Sequence, residues 1–191
     1  MTNFPSRYGL FDFTDYIGKR VSDFSGREWV FKEIDRWLGQ QDASHYYLLT
    51  GEPGSGKSAV AARLAQFSAG GVVQPVECQR LTPGFLRAVH FCSTSASDWV
   101  DPRGFARSVA LQLANIDEFK RALLDVGDRD INIAVQIQSG KVEPGGSVTG
   151  VIIQNLVIQG LNGQEAFNRT VLDPLRTVYE GGLRSANPHF G

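Results

Sequence analysis

The sequence predicts an α/β fold, a three-layer α/β/α arrangement around a parallel core sheet. Three observations predict it. A short apolar run at residues 46–50 (YYLLT) leads straight into a glycine-rich octapeptide at 51–58 (GEPGSGKS), and strong helix formers follow at 59–67 (AVAARLAQF). A second apolar run at 88–92 (AVHFC) is followed by another helical pattern, which makes a second α/β unit. Residues 131–158 alternate apolar and polar side chains around a turn-rich centre and read as a β-hairpin inserted beside that sheet.

Bulk properties set the frame. With 191 residues the chain fits one domain, which buries on the order of 70% of the surface its unfolded form exposes. Hydrophobic residues are 42% and charged residues 20%, with three Trp and twelve Phe, far from the composition of a disordered chain. The net charge of −1 supplies no bulk field to gather nucleic acid or anionic lipid, so neither is expected as a partner and any bound phosphate must be held locally. Cys78 and Cys92 lack C-x-x-C spacing, which argues against a disulfide framework or a zinc site and fits the reducing cytoplasm. The chain opens without a basic leader and an apolar stretch, and its greasiest segment, 151–158, is interrupted by Gln154 and Asn155 and too short to span a bilayer.

Residues 1–23 show no clean period and read as an irregular lead-in. Ser25 and Glu28 match the S-x-x-E capping box and predict a helix start, after which Val30, Ile34, Trp37 and Leu38 form one apolar stripe that Gly39 ends. The helix over 59–67 ends at Gly70 and Gly71. Thr82 and Pro83 provide a cap and a first-turn proline for a short helix to Arg87. Asp101 and Pro102 do the same for a helix in which Phe105, Val109 and Leu113 recur at helical spacing. Residues 119–126 predict a further short helix. In the hairpin, Ile131, Ile133, Val135 and Ile137 alternate with polar or small residues, 139–147 (SGKVEPGGS) turn, and 148–158 return. Phe167, Val171, Leu175 and Val178 keep helical spacing through Asp173 and Pro174, where the proline must kink the helix or start a new one.

The octapeptide satisfies G-x-x-x-x-G-K-[ST], the phosphate-binding P-loop. Gly51, Gly54 and Gly56 let the backbone fold round an anion, with Glu52, Pro53 and Ser55 completing the loop, and a helix N-terminus beginning near Ala59 favours negative charge. Lys57 reaches the β and γ phosphates of a nucleotide and is the expected catalytic residue; the Ser58 hydroxyl is the expected ligand of the accompanying Mg²⁺. The required order, strand, loop, helix, is present. Magnesium chemistry also needs an acid at the end of a neighbouring strand, and no run of four apolar residues ends in Asp-Asp or Asp-Glu. Asp125 follows Ala122-Leu123-Leu124 but lies in a helical pattern and reads as a surface carboxylate, while Asp173 reads as a helix breaker or cap.

At this point the chain resembles the signal-transduction ATPases with numerous domains (STAND proteins), and among them the NACHT-type domains. The resemblance rests on Phe24-Ser25-Gly26-Arg27-Glu28, similar to the F-x-G-R-E opening motif, on GEPGSGKS, and on the stretches VHFCSTSASDWVDPRGFARSVALQLA and AFNRTVLDPL. It implies ATP or ADP at 51–58, with Gly26 and Arg27 near the base or phosphates, and an AAA-like signalling ATPase. It also implies packing against flanking domains of a longer parent chain and assembly into homo-oligomers. The sequence departs from the family by stopping where the acidic strand and the later subdomains are expected, so the fold is expected to be C-terminally incomplete and turnover near background.

His90 and Cys92 share one face of the run 88–92 and read as a buried core pair; Trp29, Trp37 and Trp99 read as core or interface anchors. His45 and His189 have no company. Three functions remain in play: a nucleotide-sensing switch, a binding module that holds nucleotide or a protein partner without turnover, and a small P-loop kinase. The F-S-G-R-E segment and the lack of a lid-like arginine cluster count against the kinase.

Overall fold

The computed structural model describes residues 10–40, 44–126, 130–139 and 149–186. His189 and the hairpin turn expected over 139–147 fall outside them, except for Ser139. The chain divides into two compact units. The first takes Asp12–Val89, and the second takes residues 10–11 with the described residues from His90 onward.

The first unit is helical. Helix α1 (Thr14–Val21) lies where an irregular lead-in is expected; Phe13 and Ile17, four residues apart, bury one face of it, and about two turns of helix are too short for the period to stand out in sequence. Helix α2 (Glu28–Leu38) buries Val30, Phe31 and Ile34, and α3 (Lys57–Ser68) buries Val60, Ala62, Ala65 and Phe67. The core gathers Val30, Phe31, Ile34, Val60, Phe67, Cys78 and Leu81, with the Phe31 and Phe67 rings edge to face at 5.1 Å. Each of the larger members contributes roughly 1.5–3 kcal/mol of burial. Burial also pushes the Cys78 thiol above its ordinary value.

Several expectations are corrected here. The Ser25 capping box does not form: Gly26 and Arg27 both have left-handed backbone, with φ of 72° and 61°, so the N-cap is Arg27 and no side chain caps α2. Thr82 and Pro83 open no helix. They form a tight turn closed by the Phe85 amide on the Thr82 carbonyl at 3.1 Å, with Gly84 at φ 84°, because proline then glycine suits the two central positions of a type II turn better than a helix start. Residues 46–50 and 88–92 carry no strand. Tyr46 and Leu48 are 85% and 83% exposed, so that run is not buried on both faces, and an extended segment without a hydrogen-bonded neighbour makes no ladder.

In the second unit Asp101 caps α4 (Pro102–Leu113) by accepting from the Gly104 amide at 2.9 Å, as its sequence predicts. Its buried face, however, is Ala106, Ser108, Ala110, Gln112 and Leu113, and Phe105 stays 37% exposed. Small residues allow close approach, and α4 packs on the strand over Thr149–Ile158 and on the helix over Gly163–Phe167. Helix α5 (Asp117–Leu124) buries Phe119, Ala122 and Leu123. Strands β1 (Ile131–Ser139) and β2 (Thr149–Ile158) pair antiparallel; Ala134 faces Asn155 while Val135 faces Ile153, so β2 carries one extra residue, a bulge, at that point. Helix α6 (Gly163–Phe167) opens with a full capping box between Asn162 and Glu165. It continues through a π-helical turn, Asn168–Leu172, into α7 (Asp173–Ala186). The wide turn accommodates Pro174: the Asp173 amide bonds the Asn168 carbonyl five residues back, and the helix neither breaks nor needs a donor from the proline. Among the described residues no helix is long and apolar enough to cross a membrane.

One buried charge ties the first unit together. Asp35 is 6% exposed and accepts from the Arg80 amide at 2.6 Å and the Leu81 amide at 3.3 Å, with the Arg80 guanidinium at 3.4 Å. Arg80 in turn lies over Gly39, where a Cβ would stand 2.3 Å from its guanidinium carbon. Asp35→Ala strands both amides and is expected to lower stability by about 2 kcal/mol, read as a drop in the urea midpoint at unchanged slope.

Candidate functional site

The octapeptide forms a closed loop at the head of α3. Pro53 and Gly54 are the central residues of a turn in which the Ser55 amide donates to the Glu52 carbonyl at 3.1 Å, and Gly54 has φ 80°. Gly56 follows at φ 82° as the N-cap of α3. Both positions need left-handed backbone, which a side chain strains. A Cβ at Gly51 would stand 2.9 Å from the Ser55 hydroxyl, so the loop is also tight across its mouth.

Lys57, in the first turn of α3, folds back across this loop. Its Nζ donates to the Gly51 carbonyl at 2.6 Å and the Glu52 carbonyl at 3.0 Å, with the Ser55 hydroxyl at 3.4 Å. The loop is therefore closed around an ammonium group. No acidic residue lies in the first turn of α3 and no side chain caps it, so the helix end keeps its positive character. Ser58 is exposed beside it and Ala59 is half-buried.

Gly26 and Arg27 come to the same place. The φ of 61° at Arg27 is the one positive value at a non-glycine among the described residues, and it starts α2 with the side chain turned toward the loop. A Cβ built on Gly56 would stand 1.7 Å from the Arg27 Nη1, so the guanidinium lies directly against that glycine. Beside it is a cleft of about 180 Å³ lined by Lys19, Arg20, Asp23, Phe24, Arg27 and Ala59. Lys19 and Arg20 come from α1, a helix the sequence reading missed although it ends in adjacent cations. Arg20 also lies over the Tyr16 ring at 5.0 Å, and Arg63 over Phe24 at 5.3 Å.

This arrangement fits a polyphosphate. Two cations, a helix N-terminus without an acid, and glycines where side chains would intrude are what an anion needs in a chain of net charge −1. For magnesium the fit is partial. Among the described residues no three His, Cys, Asp or Glu side chains gather. A magnesium ion here would rest on phosphate oxygens and the Ser58 hydroxyl. Asp125 is the exposed C-cap of α5, and Asp173 lies within a continuous helix, so neither stands at the end of a strand.

The remaining candidates separate. Cys92 is exposed, which corrects the buried pair. His90 is half-buried, with Nε2 2.8 Å from the Trp99 carbonyl and its ring edge-on to Phe11 and Phe105. Trp37 donates to the Ser44 carbonyl at 2.8 Å and packs on Tyr47, whereas Trp29 is 65% exposed and anchors no core. His45 is exposed.

The profile of the family described as nephrocystin 3, N-terminal, matches residues 26–142 of the 191, a span that starts at Gly26 and contains the whole loop. No curated protein and no solved structure matches the chain.

A strained arginine at a cap has a measurable signature. Arg27→Gly removes the left-handed strain and the cation together, whereas Arg27→Ala removes the cation and keeps the strain. Arg27→Gly is expected to be about 1 kcal/mol more stable than Arg27→Ala in urea unfolding; equal stabilities would contradict the backbone geometry assigned to this residue.

Proposed function

The chain belongs to the nephrocystin 3 N-terminal family, one found in NACHT- and STAND-related proteins, and from that premise we propose that residues 51–58 bind ATP or ADP with Mg²⁺. One observation carries the reading: the Lys57 ammonium is held at the centre of a glycine loop, at a helix N-terminus, with the Arg27 guanidinium against the same loop. Gly51, Glu52, Pro53, Gly54, Ser55 and Gly56 supply the backbone cradle. Lys57 supplies the charge that meets the β and γ phosphates, Ser58 the hydroxyl for magnesium, and Gly26, Arg27 and Ala59 the neighbouring wall. Magnesium, when bound with the nucleotide, neutralises phosphate charge.

The parent fold proposed for this site is the three-layer α/β/α P-loop arrangement, with 131–158 as an added hairpin. The role proposed is that of a signalling switch in the cytoplasm, in which bound ADP or ATP biases packing against flanking domains and assembly of copies. A second reading, a binding module without turnover, draws on the missing acid beside Ser58. Nothing in the site's geometry favours a small kinase.

The test is binding of a fluorescent ADP or ATP analogue to the whole chain with magnesium. Lys57→Ala is expected to weaken binding by about tenfold or more, because a charge-assisted phosphate contact is lost. Equal affinity for both chains would remove Lys57 from the role, and turnover well above background would reject the non-hydrolysing reading.

A further inference from the structure

The nucleotide reading gives the hairpin of β1 and β2 no role. Its two strands are not equivalent. Helix α4 packs on β2, whereas β1 meets no helix to a comparable extent and, among the described residues, pairs with β2 alone. β1 is therefore an edge strand, and the backbone N–H and C=O groups on its far side have no ladder partner among those residues. At nine residues it is longer than the usual strand.

Open edges are normally blunted by a charge, a proline or a bulge. β1, INIAVQIQS, holds no charged residue and no proline. The bulge in the hairpin falls on β2, between the partners of Ala134 and Val135, so the open strand runs without an insertion. Ile131 is buried and Ile133 half-buried, whereas Asn132, Ala134 and Val135 are exposed. The edge is thus long, regular, uncharged and rich in β-branched residues, which suits it to receive one more strand.

We propose that the β1 edge binds β1 of a second copy of this chain, antiparallel about a two-fold axis, joining two hairpins into one sheet. The sequence of the strand favours its own copy as the occupant. A strand with no charge meets its own copy without like-charge repulsion, and Asn132, Gln136 and Gln138 carry amides that both donate and accept, so identical edges match. A foreign strand bearing charges finds no opposite charge on this edge. Pairing along all of β1 centres on Val135 and sets Ala134 opposite Gln136 of the other copy. The two copies of residue 134 then lie on one diagonal, about 7–8 Å apart. This surface serves the assembly of copies and does not depend on nucleotide at residues 51–58.

The experiment is sedimentation of the whole chain at low salt, without nucleotide, over a concentration series for the unaltered chain, Ala134→Lys and Ala134→Glu. The unaltered chain is expected to form a dimer, half-assembled at roughly 10–100 µM. Each variant alone is expected to weaken the dimer about threefold or more, and an equal mixture of the two to restore it, because the diagonal then joins opposite charges. Position 134 is exposed, and an unchanged urea midpoint checks that the variants fold. Should they fold poorly, hydrogen exchange on the unaltered chain gives a second readout: β1 amides gain protection as concentration rises. A monomer throughout, which leaves the edge to a strand of another protein, overturns the proposal. So does a dimer that both variants leave intact, or open-ended growth into fibres. Lys57→Ala is expected to leave the dimer unchanged, so this inference and the nucleotide reading fail separately.

Discussion

The first unit depends on the edge-to-face packing of Phe31 against Phe67, which joins α2 to α3. The glycine loop has no sheet beneath it among the described residues, so its shape is set by what holds its two ends. Lys57 begins α3, and α3 is held by the cluster of Val30, Phe31, Ile34, Val60, Phe67, Cys78 and Leu81. The same cluster holds α2, which starts at Glu28 directly after Gly26 and Arg27. One small core therefore positions both the ammonium and the guanidinium of the candidate site. Asp35 extends the arrangement to the segment around Leu81 through two backbone amides.

What the sequence made legible follows physical range. Features set by neighbours within a turn could be read: Asp101 and Pro102 opening α4, the alternation of β1, the tight glycine loop before α3. Features set by backbone strain or by distant partners could not. Ser25 and Glu28 carry the right residue types for a capping box, yet the left-handed Gly26 and Arg27 move the helix start beyond them. Thr82-Pro83 suits a helix start and a turn equally, and Gly84 at φ 84° decides for the turn. The Asn162 capping box has a local signature in N-G-Q-E, whereas the π-helical turn before Pro174 has none. The spacing of 51–58 marks the tight glycine loop at the head of α3. It could not show that Lys57 closes the loop on two carbonyls, nor that α1 places Lys19 and Arg20 beside Arg27.

The Lys57 contacts bear on how such a loop meets an anion. An ammonium has three donors, and here two reach carbonyls at 2.6 and 3.0 Å while the contact to the Ser55 hydroxyl is longer, at 3.4 Å. On the proposed reading, a phosphate oxygen would meet the ammonium in place of the weakest of these contacts, and the closed loop would need little rearrangement. Arg27 adds a second cation that is already strained into position, so part of the ordering cost is met by the fold itself.

Net charge hides this sorting. A chain with 19 basic and 20 acidic residues has no field worth steering by, and a bulk count predicts no charged partner. Yet the loop region presents Lys57, Arg27, Lys19 and Arg20 against a helix end without acids, while the cleft beside α4 holds two arginines and two aspartates. A nearly neutral chain can therefore carry one region rich in cations and another of mixed sign, because its charges are sorted locally. At the loop Lys57, Arg27, Lys19 and Arg20 outnumber Asp23, the one acid on the lining of the neighbouring cleft. At the cleft Asp101 accepts from the Gly104 amide and lies 3.8 Å from Arg103, with Arg107 and Asp98 on the same lining. The difference between the two regions lies in where the charges are placed and not in the overall composition.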